Sequence, residues 1–303
     1  MNLKALGEFG LIRRIAQDVK NDKSVIVGVG DDAAVLEFNK KEYLLLTCDI
    51  LVEGAHFLRK AKPEAIGWKA ICCSVSDIAA MGGEPKWLVT SIGLPKNLKS
   101  EYIDGIYAGI KKAASRFNVN IVGGDTVNSS KLVIDVAMIG IVKKQNLALR
   151  SGAKLGDAIF VTGVLGNAVK SGRHLKFTPR IKESQILVNN FKINSMMDIS
   201  DGLSGDLRHI LEMSKAGAIC YEKYLPKAKG AALDAALNEG EDFELLFTAS
   251  KKEAYRIIEK FPGLCDTPIT CIGEIIKPGF GFILIGKNKK PVQIKPKGYD
   301  HFA

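Results

Sequence analysis

This sequence's chemistry lies in a series of acidic residues, each at a strand-like end, in a glycine turn or on a helix face. Asp31 and Asp32 follow Val25-Ile26-Val27-Gly28-Val29-Gly30, and Asp49 follows Tyr43-Leu44-Leu45-Leu46-Thr47-Cys48. Asp125 stands in Gly123-Gly124-Asp125-Thr126, Asp198 and Asp201 bracket Ile199-Ser200, and Glu241 and Asp242 follow Gly240. Any one of these alone fits a turn residue or a helix cap. Gathered in one site they would crowd like charges, which only bound cations or shifted protonation tolerate. The chemistry that suits them is hard-cation binding, because Mg²⁺ takes carboxylate oxygens and bridges to phosphate oxygens.

Other chemistries find little support. Gly28, Gly30 and Ala33 fit a GxGxxA dinucleotide fingerprint on the surface, but two carboxylates right after the glycines would repel a bare pyrophosphate. The patterns GxxxxGK[ST], HExxH and GxSxG are absent. Among the histidines, His56, His174, His209 and His301 show no metal-ligand spacing; His209 reads as structural, whereas His56, close after the Asp49 loop, is a candidate ligand contact. None of Cys48, Cys72, Cys73, Cys220, Cys265 and Cys271 forms a CxxC pair, so reduced, mostly buried thiols are expected.

Positioning the acids requires alternating helices and strands. Leu11, Ile12, Ile15 and Val19 predict a helix over residues 8–20, and strands follow at 24–29 and 43–48. A helix begins at Pro63 and is stopped by Gly82-Gly83; it carries Ile66, Ala70, Cys73 and Asp77 on one stripe, so Asp77 needs a partner. A strand at 87–94, a helix at 99–117 and strands at 119–122 and 131–142 complete the first half. The polar stretch from Arg150 to Asp157 is the candidate boundary. After it come a buried strand at 158–163 and a basic, glycine-containing loop over 164–182. Helices near 203–215 and 251–260 then alternate with strands near 217–221, 243–248, 269–275 and 281–286. Both halves read as mixed α/β.

Length and composition agree with this. The 303 residues suggest about two domains, and 47% hydrophobic with 25% charged residues is ordinary for a soluble protein. No apolar run approaches the roughly 20 residues of a membrane helix, and the first residues lack a signal-peptide pattern, so a cytoplasmic protein without a membrane partner is expected. The net charge of +10 comes from scattered lysines and arginines rather than a patch, which argues against nucleic acid and suits a solvated surface or an anionic small substrate.

Taken in order, several segments resemble one family. They are Gly7-Glu8-Phe9-Gly10-Leu11-Ile12, Gly30-Asp31-Asp32, Thr47-Cys48-Asp49 with Glu53-Gly54-Ala55-His56-Phe57, Ser76-Asp77-Ile78-Ala79-Ala80-Met81-Gly82 and Gly123-Gly124-Asp125-Thr126. The series continues through Arg150-Ser151-Gly152-Ala153, Asp198-Ile199-Ser200-Asp201-Gly202-Leu203, Gly240-Glu241-Asp242-Phe243-Glu244-Leu245 and Lys297-Gly298-Tyr299-Asp300-His301-Phe302. The pattern is similar to that of the thiamine-monophosphate kinases, within the superfamily of aminoimidazole ribonucleotide synthetase. The resemblance implies two mixed α/β domains of that superfamily's N- and C-terminal types, over 1–148 and 149–303. The first would pair with its counterpart in a homodimer, and ATP would phosphorylate thiamine monophosphate to thiamine diphosphate.

By position, the resemblance implies that Asp31, Asp49, Asp77, Asp125, Asp198 and Asp201 hold several Mg²⁺ ions, assisted by Thr47 and the backbone near Cys48. It places Tyr107, Gly124, Asp125, Arg150 and Ser200 at the nucleotide, and His56 and Glu241 at the thiamine. No general base is assigned, since the acceptor is itself an ionised phosphate. Three departures stand out: Cys48 replaces the usual Thr, Pro296 stands at a substrate-pocket position where an aromatic is expected, and the segment 164–180 is shortened. A superfamily member using ATP on another acceptor (aminoimidazole ribonucleotide or selenophosphate synthetase-like) would share the acidic turns, as would a nucleotide-binding module without turnover. The His56 segment and the Gly-Tyr-Asp-His-Phe ending favour the thiamine enzyme.

Overall fold

A computed structural model of the chain describes residues 3–295, 297–299 and 302. The first half runs α1 (Leu3–Ala16), β1 (Val25–Val27), β2 (Ala34–Glu37), β3 (Glu42–Val52), α2 (Pro63–Ala80), β4 (Glu84–Leu94), α3 (Ser100–Arg116), β5 (Asn120–Asn128) and β6 (Val133–Lys143). Its strands form one sheet in the order β1-β2-β3-β6-β4-β5. Side chains alternate across it, as strand geometry requires. Leu45, Thr47 and Leu51 face inward with Ile134, Val136 and Met138, while Leu46, Cys48 and Ile50 face outward. The outward face also exposes Trp87 and Val89.

Helix α2 is buried almost all round: from Ile66 to Ala80 only Trp68 and Asp77 are half-buried. Pro63 supplies its first turn, and Met81, Gly82 and Gly83 return N–H bonds to Asp77, Ala79 and Ile78 at its end. Gly82 has φ +74 and lies where a Cβ would come within 2.4 Å of the Asn146 carbonyl oxygen, so only glycine fits. Against α3 the approach is equally close, since a Cβ at Gly67 would lie 2.0 Å from the Ile106 oxygen. Gly67→Ala is expected to destabilise the protein by roughly 1–3 kcal/mol. Urea unfolding measures this, and an unchanged midpoint would mean that the two helices part freely.

The second half runs β7 (Ala158–Thr162), α4 (Ala168–Ser171), α5 (Ile181–Asn190), β8 (Ser195–Asp198), α6 (Leu203–Ser214), β9 (Gly217–Tyr221), α7 (Leu233–Asn238), β10 (Leu245–Ala249), α8 (Lys251–Lys260), β11 (Ile269–Ile276), β12 (Phe282–Ile285) and β13 (Pro291–Gln293). The sheet order is β13-β12-β9-β11-β7-β10-β8. Strands β7, β8 and β10 are buried throughout, with α6 and α7 packed on one face and α5 and α8 on the other. Both predicted halves are thus mixed α/β. Helix α2 reaches across from the first half to pack on α5 and β8.

Several elements differ from expectation. The first helix spans Leu3–Ala16 with a break at Gly7, φ 63, rather than 8–20; Leu11 is half-buried, but Ile12, Ile15 and Val19 stay exposed among the described residues. Residues 164–182 are not a loop: they form α4, a 3₁₀ turn at Arg173–Leu175 and the start of α5. Buried acids hold this segment. Arg173 pairs with Asp242, and Arg180 donates to both Glu244 carboxylate oxygens at 2.6 and 2.7 Å. Trp68 Nε1 donates to the Phe177 carbonyl oxygen at 2.8 Å, and the Phe177 and Phe243 rings stack with centroids 4.0 Å apart.

Candidate active site

Lys69, Ser74 and Ser76 in the body of α2 each donate to an acid. Ser74 Oγ donates to Asp49 Oδ2 at 2.7 Å, and Ser76 Oγ donates to Asp198 Oδ2 at 2.5 Å. Asp77 Oδ2 accepts from Thr47 Oγ1 at 2.5 Å. Lys69 Nζ donates to both Glu241 carboxylate oxygens at 2.7 and 2.6 Å. Lys69, Cys73 and Asp77 fall at i, i+4 and i+8, one stripe of the helix, and all three line a single cavity.

Asp32, Asp77 and Asp198 each place a carboxylate oxygen within 4.8 Å of the others. Asp49 adjoins them through a hydrogen bond with Asp77. Asp32 Oδ1 accepts from Arg150 Nη2 at 2.6 Å, but Asp32 Oδ2 is buried without a hydrogen-bond partner among the described residues. Burial, with neighbouring carboxylates, pushes the Asp77 carboxyl well above its usual range. The same causes raise Asp198 to about 8, and burial with Asp32 raises Asp31 to about 7. An orphaned buried oxygen in a set of hard oxygen donors, each acid suppressing its neighbours' ionisation, suits a divalent hard cation such as Mg²⁺.

The cavity has a volume of about 380 Å³ and opens between the two sheets' loops. Asp49, Asp77, Ser200, Asp201, His56, Lys69, Glu241 and Tyr299 line it, and Lys69, which holds Glu241 and the His56 carbonyl oxygen, stands about two turns along α2 from Asp77. His56 Nδ1 accepts the Val52 N–H at 3.0 Å, so the proton of the neutral ring sits on Nε2. The Asp201 N–H donates to Asp206 Oδ2 at 3.1 Å, and the Tyr299 N–H donates to the Asp201 oxygen at 3.0 Å. The C-terminal segment therefore folds back onto the acid loop.

The remaining sequence candidates fall in different places. Asp31 turns its carboxylate to the Arg150 N–H, 3.2 Å from each oxygen, so of the adjacent pair it is Asp32 that faces Asp77 and Asp198. Arg150 donates to Asp32 through Nε and Nη2. Cys48 Sγ points to the outward sheet face and contacts Asp135 Oδ1 at 3.1 Å, leaving only its backbone for the inner side. Asp125 and Gly124 lie on the exposed edge strand β5. Asp125 is in register through Ser91 and Asp135 with Ile50. That puts it about three strand spacings, some 14 Å, from β3. It shares the outward face, so within one chain it stands apart from the cluster. Tyr107 packs half-buried against the first core and does not line the cavity. Pro296 lies outside the described residues. Lys69 and Asp206 are what the sequence left unmarked, while Asp32 stood among the acids without a metal role and Tyr299 only within the C-terminal motif; the i, i+8 spacing of Lys69 and Asp77 is the available signal for the first.

Two mixed sheets meeting at an acid-lined cavity define an α/β protein of the AIR synthase related type. Residues 30–142 match the AIR synthase related protein, N-terminal domain, and residues 137–285 the C-terminal domain. A thiamine-monophosphate kinase of Buchnera aphidicola subsp. Acyrthosiphon pisum is 37% identical over 97% of this chain and 98% of its own. The Aquifex aeolicus enzyme of that name is 36% identical over the whole of both chains. A solved structure of AaThiL complexed with AMPPCP and TMP superposes with a TM-score of 0.86, at 35% identity and covering 99% of each chain. The chain belongs to the thiamine-monophosphate kinase family. Among the described residues no helix is long and apolar enough to cross a membrane.

Proposed function

We propose that this enzyme transfers the γ-phosphoryl of ATP to thiamine monophosphate, giving thiamine diphosphate and ADP. The observation that carries the reading is one cavity that Asp77 of the acid cluster lines together with His56 and Glu241, which Lys69 holds about two turns away along α2. Full-length similarity to kinases of that name, and to a structure holding AMPPCP (an ATP analogue) with TMP, supports the same substrates. Two polyanions must approach in line, so positioning and charge neutralisation dominate, and an ionised acceptor phosphate needs no general base. Asp32, Asp49, Asp77, Asp198 and Asp201 would hold Mg²⁺, assisted by Asp31, Thr47 and the Cys48 backbone. Bound there, Mg²⁺ would neutralise phosphate charge. The carboxylates orient the phosphate end, Ser200 and Arg150 serve the nucleotide, and His56 Nε2–H, Glu241 and the Tyr299 ring bound the thiamine end.

The domains divide at 148/149, and the enzyme works in the cytoplasm as a homodimer. Support for the dimer is the outward face of the first sheet, where Leu46, Ile50, Trp87 and Val89 are exposed beside the open edge of β5. A second copy on that face would gather Gly124 and Asp125 into the assembled surface, where they would join the nucleotide end, with Tyr107 near the base. Light scattering giving a monomer mass would sink the dimer. The function is tested by chromatography of reactions with Mg²⁺, ATP and thiamine monophosphate, with thiamine and acceptor-free controls. Equal amounts of thiamine diphosphate and ADP are expected; ADP without thiamine diphosphate would mean a different acceptor.

A further inference from the structure

Lys69 is fully buried, and it lines the wall of the cavity. A buried ammonium is costly unless its donors are satisfied. Here two bonds go to the Glu241 carboxylate and the third, at 3.0 Å, goes to the His56 carbonyl oxygen. One cation thus fastens the two residues that bound the thiamine end, one from the β3–α2 connection and one from the loop before β10. Neither wall depends on Lys69 for its backbone path. The Glu241 N–H is held by the Ser200 oxygen at 2.7 Å, and the His56 N–H is held by the Val52 oxygen at 3.0 Å. What Lys69 adds is the direction of the Glu241 carboxylate and the spacing between the walls.

We propose that Lys69 is a positioning residue for the acceptor, fixing Glu241 and the His56 turn so that a heteroaromatic organic phosphate is gripped at its ring end; this rests on the thiamine monophosphate reading above. The pairing also removes one net negative charge from a cavity that already carries Asp49, Asp77, Asp201 and Glu239. The Glu241 charge is thereby balanced, while the acids of the cluster stay available for cations. Each Glu241 oxygen keeps a second lone-pair direction for a ring amine or N–H of the acceptor.

The test compares steady-state kinetics of the full chain with Lys69→Met, Glu241→Gln and the double variant. Lys69→Met is expected to raise KM for thiamine monophosphate about tenfold or more while KM for ATP moves less than about twofold. In the Glu241→Gln background the same substitution is expected to add less than about twofold, because the group it positions is already altered. Lys69→Gln keeps two donors without the charge and is expected to fall between; if Lys69→Met does not fold, this variant carries the comparison. Equal rises in both KM values, or effects that multiply fully in the double variant, would overturn the proposal and leave Lys69 a packing element. Failure of the unsubstituted protein to make thiamine diphosphate would instead overturn the substrate reading beneath it.

Discussion

Asp32→Asn is expected to lower kcat/KM for Mg²⁺-dependent thiamine diphosphate formation by about a thousandfold or more, whereas Asp31→Asn costs about tenfold. The two residues are adjacent and chemically identical, so the contrast isolates direction. Asp32 places a carboxylate oxygen beside those of Asp77 and Asp198 and keeps a buried Oδ2 without a partner among the described residues, while Asp31 receives the Arg150 N–H. An Asn at 31 keeps a carbonyl oxygen for that N–H. An Asn at 32 keeps an oxygen for Arg150 but presents an NH₂ where a cation ligand is needed. Stability should move the other way. Removing one buried like charge lets the metal-free Asp32→Asn protein melt higher than the unsubstituted one, as happens where a site is strained for function. Initial rates across a Mg²⁺ titration, with thermal melts in EDTA, read both signatures. An active Asp32→Asn beside a dead Asp31→Asn would reverse the assignment.

That contrast marks where sequence reading reaches its limit. Pro63 and Gly82-Gly83 delimit α2, and alternation delimits β3 and β6, because local chemistry decides those elements. Short strands such as β2 and β13 have too few residues to show a period, and α5 follows a basic, proline-containing stretch that looks like a loop. It becomes helical because Arg180 and Trp68 tie its approach to Glu244 and α2. Within the site, acids at strand ends were legible as a group, but which of Asp31 and Asp32 turns inward depends on the backbone after Gly30, φ +128. Asp125 has the same local signature as Asp49, yet its strand pairs at the sheet edge and turns it outward. Nothing local marks Lys69, because its partner, Glu241, lies 172 positions away. Long-range pairing decides such residues, and no local pattern encodes it.

Metal removal should invert the protein's pH response. In the unfolded chain the cluster carboxylates ionise near their ordinary value of 3.8, but in the folded, metal-free protein burial holds Asp31 near 7 and Asp198 near 8, with Asp32, Asp49 and Asp77 also raised. Between those values the folded state binds more protons than the unfolded state, so stability falls as pH rises. The benefit of the protonated cluster is complete below about pH 4 and is lost as pH climbs through about 8. Mg²⁺ binds only the ionised acids of the folded state, so its stabilisation grows over the same interval. Asp242, raised to about 7 by burial away from the cluster, contributes equally with and without metal and cancels in the difference. Melting temperatures in EDTA are expected to fall by about 5 °C or more from pH 6 to pH 8.5, while those in millimolar Mg²⁺ hold or rise. Asp77→Asn should collapse the gap, since it removes an acid at the centre of the group. Parallel curves with and without Mg²⁺ would mean that the raised acids are not where the cation binds, and the cluster would then be a structural acid network kept protonated by burial alone.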